Sequence, residues 1–388
     1  MTIRTDSALG RTALAVAHCA GMVDLVALPI WVGVLVAHHR FDPQQAGALV
    51  TLFLAGAVAA SLYFSSRFHR LRGRVAAPAG FGVAGLAFLA ASTQTSFAAL
   101  GGLHVLGGLA AGTALSFTHG TIGRSANPHR LFALVGAALG VFAVVFLGAA
   151  PQAVAAAGGP VLFQLFGALM LVAALVTALA FPEPEAESVL SQAFRQSGRR
   201  LPPAVWYGVM AIGSMALVQA MTFSFVERMG IDRGFGVDRV TGVLIAMGLV
   251  NLLPAVLAAL LQQRLPARAV VVGGAVTQAL LALVISRSEG FAPFAAASAV
   301  FVAVMIFTHT FAFGLLARLD VTGRATAATP AMIMVGAALG PVLGGTLVKA
   351  VGYGGLGLAA LLVDALAVWL FLRMTQPLST SANEEALA

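Results

Sequence analysis

Val335-Gly-Ala-Ala-Leu-Gly340-Pro341-Val-Leu-Gly344-Gly345 is the stretch on which the architecture turns, because its first six residues already stand 200 positions earlier as Val135-Gly-Ala-Ala-Leu-Gly140. In the same register Gly123-Arg124 returns as Gly323-Arg324, and at a slightly smaller offset Gly47-Ala-Leu-Val is matched by Gly242-Val-Leu-Ile. Self-similarity at a long fixed period marks a chain built from two copies of one unit. Glycines one helical turn apart let two backbones approach closely. Pro341 removes one backbone hydrogen bond and permits a bend.

The sequence around these repeats is that of a bilayer protein. Of 388 residues, 60% are hydrophobic and 9% are charged, where about 25% charged is ordinary for a soluble domain. So few charges cannot cover a water-facing globule of this size. The net charge is +8, but the basic residues stand singly between apolar runs, which excludes a clustered nucleic-acid face. Lys349 is the one lysine and follows Val348, so no phosphate-binding Gly-Lys-Ser/Thr loop exists. Cys19, the single cysteine, excludes an intrachain disulfide and a cysteine metal cluster. No HExxH, calcium-type acidic ladder or Ser-His-Asp arrangement is present, so no cofactor is expected and the chain is not read as an enzyme.

A spanning helix needs about 20 mostly apolar residues. Twelve such runs can be marked, at roughly 13–37, 45–66, 75–94, 97–119, 130–150, 160–181, 203–227, 238–262, 268–286, 292–317, 325–349 and 353–373. The first is too long for a signal-peptide core and is read as a retained span. With the N-terminus inside, sixteen of the 22 basic residues fall in cytoplasmic segments, so both termini are expected in the cytoplasm. The longest polar interruption divides the chain into an N-terminal six-helix half at 1–181, a cytoplasmic linker at 182–202, a C-terminal six-helix half at 203–374 and a polar tail at 375–388.

Two parallel six-helix repeats are a transporter architecture, and at this point the chain resembles the major facilitator superfamily over nearly its whole length. Gly336, Gly340, Pro341, Gly344 and Gly345 fit that family's G-x-x-x-G-P-x-x-G-G helix pattern without a gap. In the family's proton-driven exporters the pattern sits in the fifth span. Here the fifth has Val141 in place of the proline. The loop after span two keeps Arg67, Arg70, Gly73 and Arg74 of the family's G-x-x-x-D-R-x-G-R-R but lacks the aspartate. In span four, His104 stands where the family's R-x-x-x-G-x-x-x-G has arginine, ahead of Gly108 and Gly112.

The resemblance implies a central cavity lined by spans one, four, seven and ten. A charge near mid-bilayer costs about 2.5–3.5 kcal/mol to insert, so each buried ionisable group is weighed as functional. Asp24, near the middle of span one, is the candidate proton carrier, with a static interhelical hydrogen bond as the alternative. Pro29 frees the carbonyl of Leu25 and predicts a bend beside it. His104 is the second proton-coupling candidate, since imidazole titrates near neutral pH. His309, Gln219, Thr222, Asn251, Thr113 and Ser116 are candidates for the substrate cavity, and each is equally able to join helices. Asp364 in span twelve is expected to have a structural partner. Glu227, with Arg228 and Arg233, is expected in a solvated loop at the outer surface, with a rim salt-bridge cluster acting as a gate as the alternative. His18 lies off the helical face of Asp24.

The reading that follows is an all-α, twelve-span secondary transporter of the cytoplasmic membrane, working as a monomer by alternating access. Its partners are a small organic substrate, protons and the lipid bilayer, not nucleic acid. Efflux of a drug or metabolite is favoured over proton-coupled uptake or uncoupled diffusion. A receptor or scaffold reusing the fold is the alternative of a different class.

Overall fold

A computed structural model of the protein describes residues 3–65, 72–183, 201–320 and 329–375. The described residues form helices and connecting turns, without strands. Arg67 and Arg70 of the loop motif, the Gly323-Arg324 repeat, nearly all of the linker and all but Thr375 of the tail lie outside them.

The first group of helices comprises α1 (Ala8–Gly21), α2 (Val23–Ala37), α3 (Pro43–Ser65), α4 (Gly73–Ala91), α5 (Phe97–Gly123), α6 (Pro128–Ala157) and α7 (Pro160–Ala180). The second comprises α8 (Pro203–Phe223), α9 (Val226–Asp232), α10 (Val237–Val250), α11 (Leu253–Leu261), α12 (Ala267–Arg287), α13 (Phe291–Leu319), α14 (Thr329–Val351) and α15 (Gly354–Met374). Among the described residues, eleven segments are long and apolar enough to cross a membrane, taking α1 with α2 and α8 with α9 as continuous spans. The expected eighth span differs. It is broken at Asn251 and Leu252 into α10 and α11, ahead of Pro254, which has no N–H for the preceding turn.

The first span also breaks, and it does so beside Asp24. The interruption is at Met22 (φ −108°, ψ 6°), while Pro29 is carried inside α2. The Asp24 carboxylate accepts the N–H of Leu25 at 2.8 Å, as a side chain at a helix start does.

Small residues set the helix spacing. On α5, a Cβ on Gly108 or Gly112 would overlap the backbone of α3 at Phe53 and Ala57. Gly85 and Gly167 bring α4 and α7 together in the same way. On α14, Gly336, Gly340 and Gly344 lie on α8 at Gly213, Ala220 and Met221. Backbones this close gain dispersion contacts along their length, which is how helices associate where lipid replaces water.

The two groups meet unevenly. The start of α3 lies on the end of α14, where Gly345 abuts the Pro43 carbonyl and Gly47 abuts that of Pro341. The largest apolar cluster runs through this end without a break, from Trp31, Phe53 and Phe166 in the first group to Phe225, Met229 and Phe294 in the second. Toward the opposite end, the buried residues form two separate clusters. One, around Leu14, Phe117 and Phe181, belongs to the first group. The other, around Val205, Phe311 and Met374, belongs to the second. The protein is thus sealed at one end and forked toward the other.

Candidate transport site and gate

Asp24 sits on the first turn of α2, 3% exposed, just past the break at Met22. The adjacent Gly21 lets Leu115 of α5 press against the backbone there. No ion pair to Asp24 exists among the described residues. The helix N-terminus and the Leu25 N–H supply its polar environment.

His104 is not on a cavity wall. It is fully buried inside the first group, stacked on Trp31 with ring centroids 5.3 Å apart and flanked edge-on by Phe88 and Phe163. Its Nδ1 lies 2.7 Å from the carbonyl of Leu100, and Nε2 is without a partner. The neutral imidazole with its proton on Nδ1 satisfies that geometry. The reason is packing: α2, α4 and α7 turn Trp31, Phe88 and Phe163 to one interior point, and the flat imidazole carried by α5 completes the stack.

Of the other cavity candidates, Gln219 and Ser116 join helices. Gln219 accepts a hydrogen bond from Gln278 Nε2 at 3.4 Å, which also reaches the carbonyl of Met215 at 3.1 Å. Thr222 is fully buried without a partner for its hydroxyl. Thr113 bonds back to the Leu109 carbonyl. Ser116 donates to the Ser61 carbonyl at 3.5 Å, and Ser61 donates to that of Gly112 at 3.4 Å. Asn251 stands in the break of the eighth span with Oδ1 unpartnered, and His309 lies beside Phe313 with Nδ1 unpartnered. Asp364 is buried, and neither carboxylate oxygen finds a partner, contrary to the expectation of a structural one.

One interaction escapes sequence reading altogether. His18 of α1 and His119 of α5 face each other with Nδ1 and Nε2 3.0 Å apart. No spacing rule connects residues so far apart in the chain.

At the sealed end, Lys349 Nζ reaches Asp42 Oδ2 at 2.8 Å and Gln44 Oε1 at 3.3 Å. The Val342 N–H donates to Thr51 Oγ1 across the same seam. Partial burial pushes the Asp42 carboxyl up, but the Lys349 ammonium and the Gln45 N–H outweigh it and hold the group below the usual carboxylate range. Gly73 packs on the Phe181 ring, and Arg74 donates to the Phe181 carbonyl at 3.0 Å and approaches Glu183 at 3.6 Å. The described part of the loop motif therefore ties the start of α4 to the end of α7.

The solvated loop expected around Glu227 is arranged differently. Arg228 Nε bonds Asp232 at 3.1 Å, and Arg233 caps the end of α12 through the carbonyls of Ile285 and Ser286. Glu227 turns inward onto Gly33 of α2.

Solved structures with the same arrangement include a D-xylose–proton symporter (TM-score 0.71, 14% identity, 94% of this chain and 96% of that one). Another is the nucleoside transporter NupG (TM-score 0.72, 13% identity, 96% of this chain and 100% of that one). A third is a bacterial homologue of the human lysosomal transporter Spinster, in an inward-facing and occupied conformation (TM-score 0.70, 13% identity, 94% and 96%). At these identities the likeness is one of fold. No curated protein matches the sequence significantly. The sequence profile described as Major Facilitator Superfamily matches residues 13–319. This multi-pass membrane protein belongs to the major facilitator superfamily of transporters.

Proposed function

We propose that the protein moves a small organic molecule across the cytoplasmic membrane by alternating access, driven by protons that bind at Asp24. The observation that carries this reading is the forked core: one continuous apolar body at the sealed end and two separate clusters beyond it. Two bodies joined at one end can rock about a site between them. Taking α10 and α11 as one crossing gives twelve spans in two halves, 1–181 and 203–374. The basic residues then put both termini, and the forked end, in the cytoplasm.

Asp24 suits the proton role because it is buried, lacks a counter-charge and stands at a helix break. An ionised carboxylate in such a place is costly, so substrate and proton can compete for the same state of the protein. His104, enclosed by aromatic rings, is assigned to packing. Thr222, Asn251 and His309 have unpartnered polar atoms and are the cavity candidates left with a group to offer a substrate. The direction proposed is efflux of a drug or metabolite by a monomer that binds no nucleic acid.

Transport in proteoliposomes, with a pH gradient imposed in either sense, tests the reading on the native chain and on Asp24→Asn. Gradient-driven flux that the substitution abolishes supports it. Flux that ignores the gradient, or that Asp24→Asn leaves intact, refutes the coupling role. Reversing the gradient separates export from uptake.

A further inference from the structure

Glu227 lies at the sealed end, on α9, and its carboxylate rests on the backbone of Gly33 in α2, across the junction between the two groups. Oε2 is shut off from solvent and accepts no hydrogen bond. The fit depends on glycine: a Cβ at residue 33 would occupy the position of Oε2. Among the described residues no cation pairs with it, and the nearby charge of Arg228 is engaged elsewhere. On α9 itself, Arg228 is bonded to Asp232, which also accepts from the Tyr353 hydroxyl at 2.6 Å. Arg233, just beyond, is held by backbone carbonyls. Along α2 the titratable groups are Asp24, far down the helix, and the capping His38. On α10 they are Asp238 and Arg239, at its first turn.

We propose that Glu227 is a second proton-binding site of the transport cycle, one that governs the seal itself: neutral Glu227 seats on Gly33 and closes this end, and ionised Glu227 leaves it. The physical reason is the asymmetry of burial. A neutral acid in an apolar junction forgoes a hydrogen bond, whereas a bare carboxylate there loses its hydration with nothing in return. Opening the end gives the carboxylate water, so the open state releases the proton to the compartment it faces and closing recovers one from it. The step transfers a proton only. No covalent bond other than the acid O–H forms or breaks.

The inference rests on the rocking motion proposed above, and the test separates the two. Spin labels on Thr95→Cys and Glu289→Cys, exposed residues of the two groups at this end, report its opening in the full chain carrying Cys19→Ala. In the native background the long-distance fraction should rise about tenfold between about pH 5 and about pH 9, as for a single proton linked to a two-state equilibrium. Glu227→Gln, nearly isosteric, should stay closed throughout. Gly33→Ala should open the end at every pH by displacing the carboxylate, and Glu227→Ala added to it should restore a closed, pH-insensitive end. In Asp24→Asn a pH-dependent opening should remain that Glu227→Gln added to it removes, so loss of proton-driven transport in Asp24→Asn alone does not bear on Glu227. A Glu227→Gln profile that follows the native one, or a native opening indifferent to pH, overturns the proposal. One unchanging distance in protein that still transports overturns the rocking motion and the proposal with it.

Discussion

Lys349, at the end of α14, places its ammonium 2.8 Å from the carboxylate of Asp42, at the start of α3, and so ties residues 307 positions apart across the sealed end. The carboxylate is prepared for it. Asp42 Oδ1 accepts the Gln45 N–H at 2.9 Å and the Asp42 N–H donates to Gln45 Oε1 at 3.2 Å, a reciprocal cap on α3. The chain's only lysine thus acts at the junction where the two repeats meet.

Exposed ion pairs contribute about 0.2–1 kcal/mol, so Lys349→Gln should raise the open fraction at this end up to about fivefold. Exchanging the charges, Asp42→Lys with Lys349→Asp, should recover part of the closure. The Asp42 carboxyl is held below its ordinary value in this state, so the tie is complete above that ordinary value and is lost as pH falls through the lowered one. Acid therefore loosens this contact while it closes the Glu227 contact. Spin-label distances at low and high salt separate the two, because screening weakens only the ion pair.

Gly345 and Gly47 should not tolerate a methyl group. A Cβ on either overlaps a carbonyl across the junction, and overpacking of this kind costs about 1–3 kcal/mol. Gly345→Ala and Gly47→Ala should shift the distances toward the open state with little change in melting temperature. Gly336→Ala, whose Cβ meets Gly213 within the second group, should lower the melting temperature instead. Gly136, the repeat partner of Gly336, has open space around it. Gly136→Ala should be neutral or stabilising by up to about 1 kcal/mol.

His104→Ala should behave as a core truncation. Removing a ring stacked on Trp31 leaves a cavity worth about 2–4 kcal/mol, read as a lower melting temperature. The pH profile of transport should not move. A displaced profile would return His104 to the proton path.

Asp364→Leu should stabilise the protein by about 1–3 kcal/mol, because it removes a buried carboxyl whose oxygens have no partner. Thermal unfolding in detergent checks this. Transport should survive if the group has no part in the cycle.

The helices were legible because their signals are local. Apolar runs of sufficient length, bounded by Gly, Pro and charged residues, locate the crossings, while the breaks inside the first, seventh and eighth do not show in them. Pro254 was in plain view in the eighth, but whether a helix breaks at a proline depends on what packs beside it. The same limit explains the first span, where Pro29 is tolerated and Met22 is not helical.

Site residues were less legible. Asp24 stood out because a carboxylate in an apolar run is costly wherever the run is placed. His104 stood out equally, yet the rings that enclose it come from three other helices. Gln219 and Ser116 face polar partners rather than open space for the same reason. The His18–His119 pair and the Glu227–Gly33 contact left no trace in spacing.

By itself, the sequence determined the solvent, the near-count of spans, the internal repeat and the family, since these depend on composition and periodicity along one chain. The tertiary structure decided which end is sealed, which of two matching glycine motifs makes the close contact, and whether a buried polar group faces a partner, a ring or nothing. Those outcomes depend on the relative placement of helices distant in sequence, a sum of many small packing energies that no local pattern encodes.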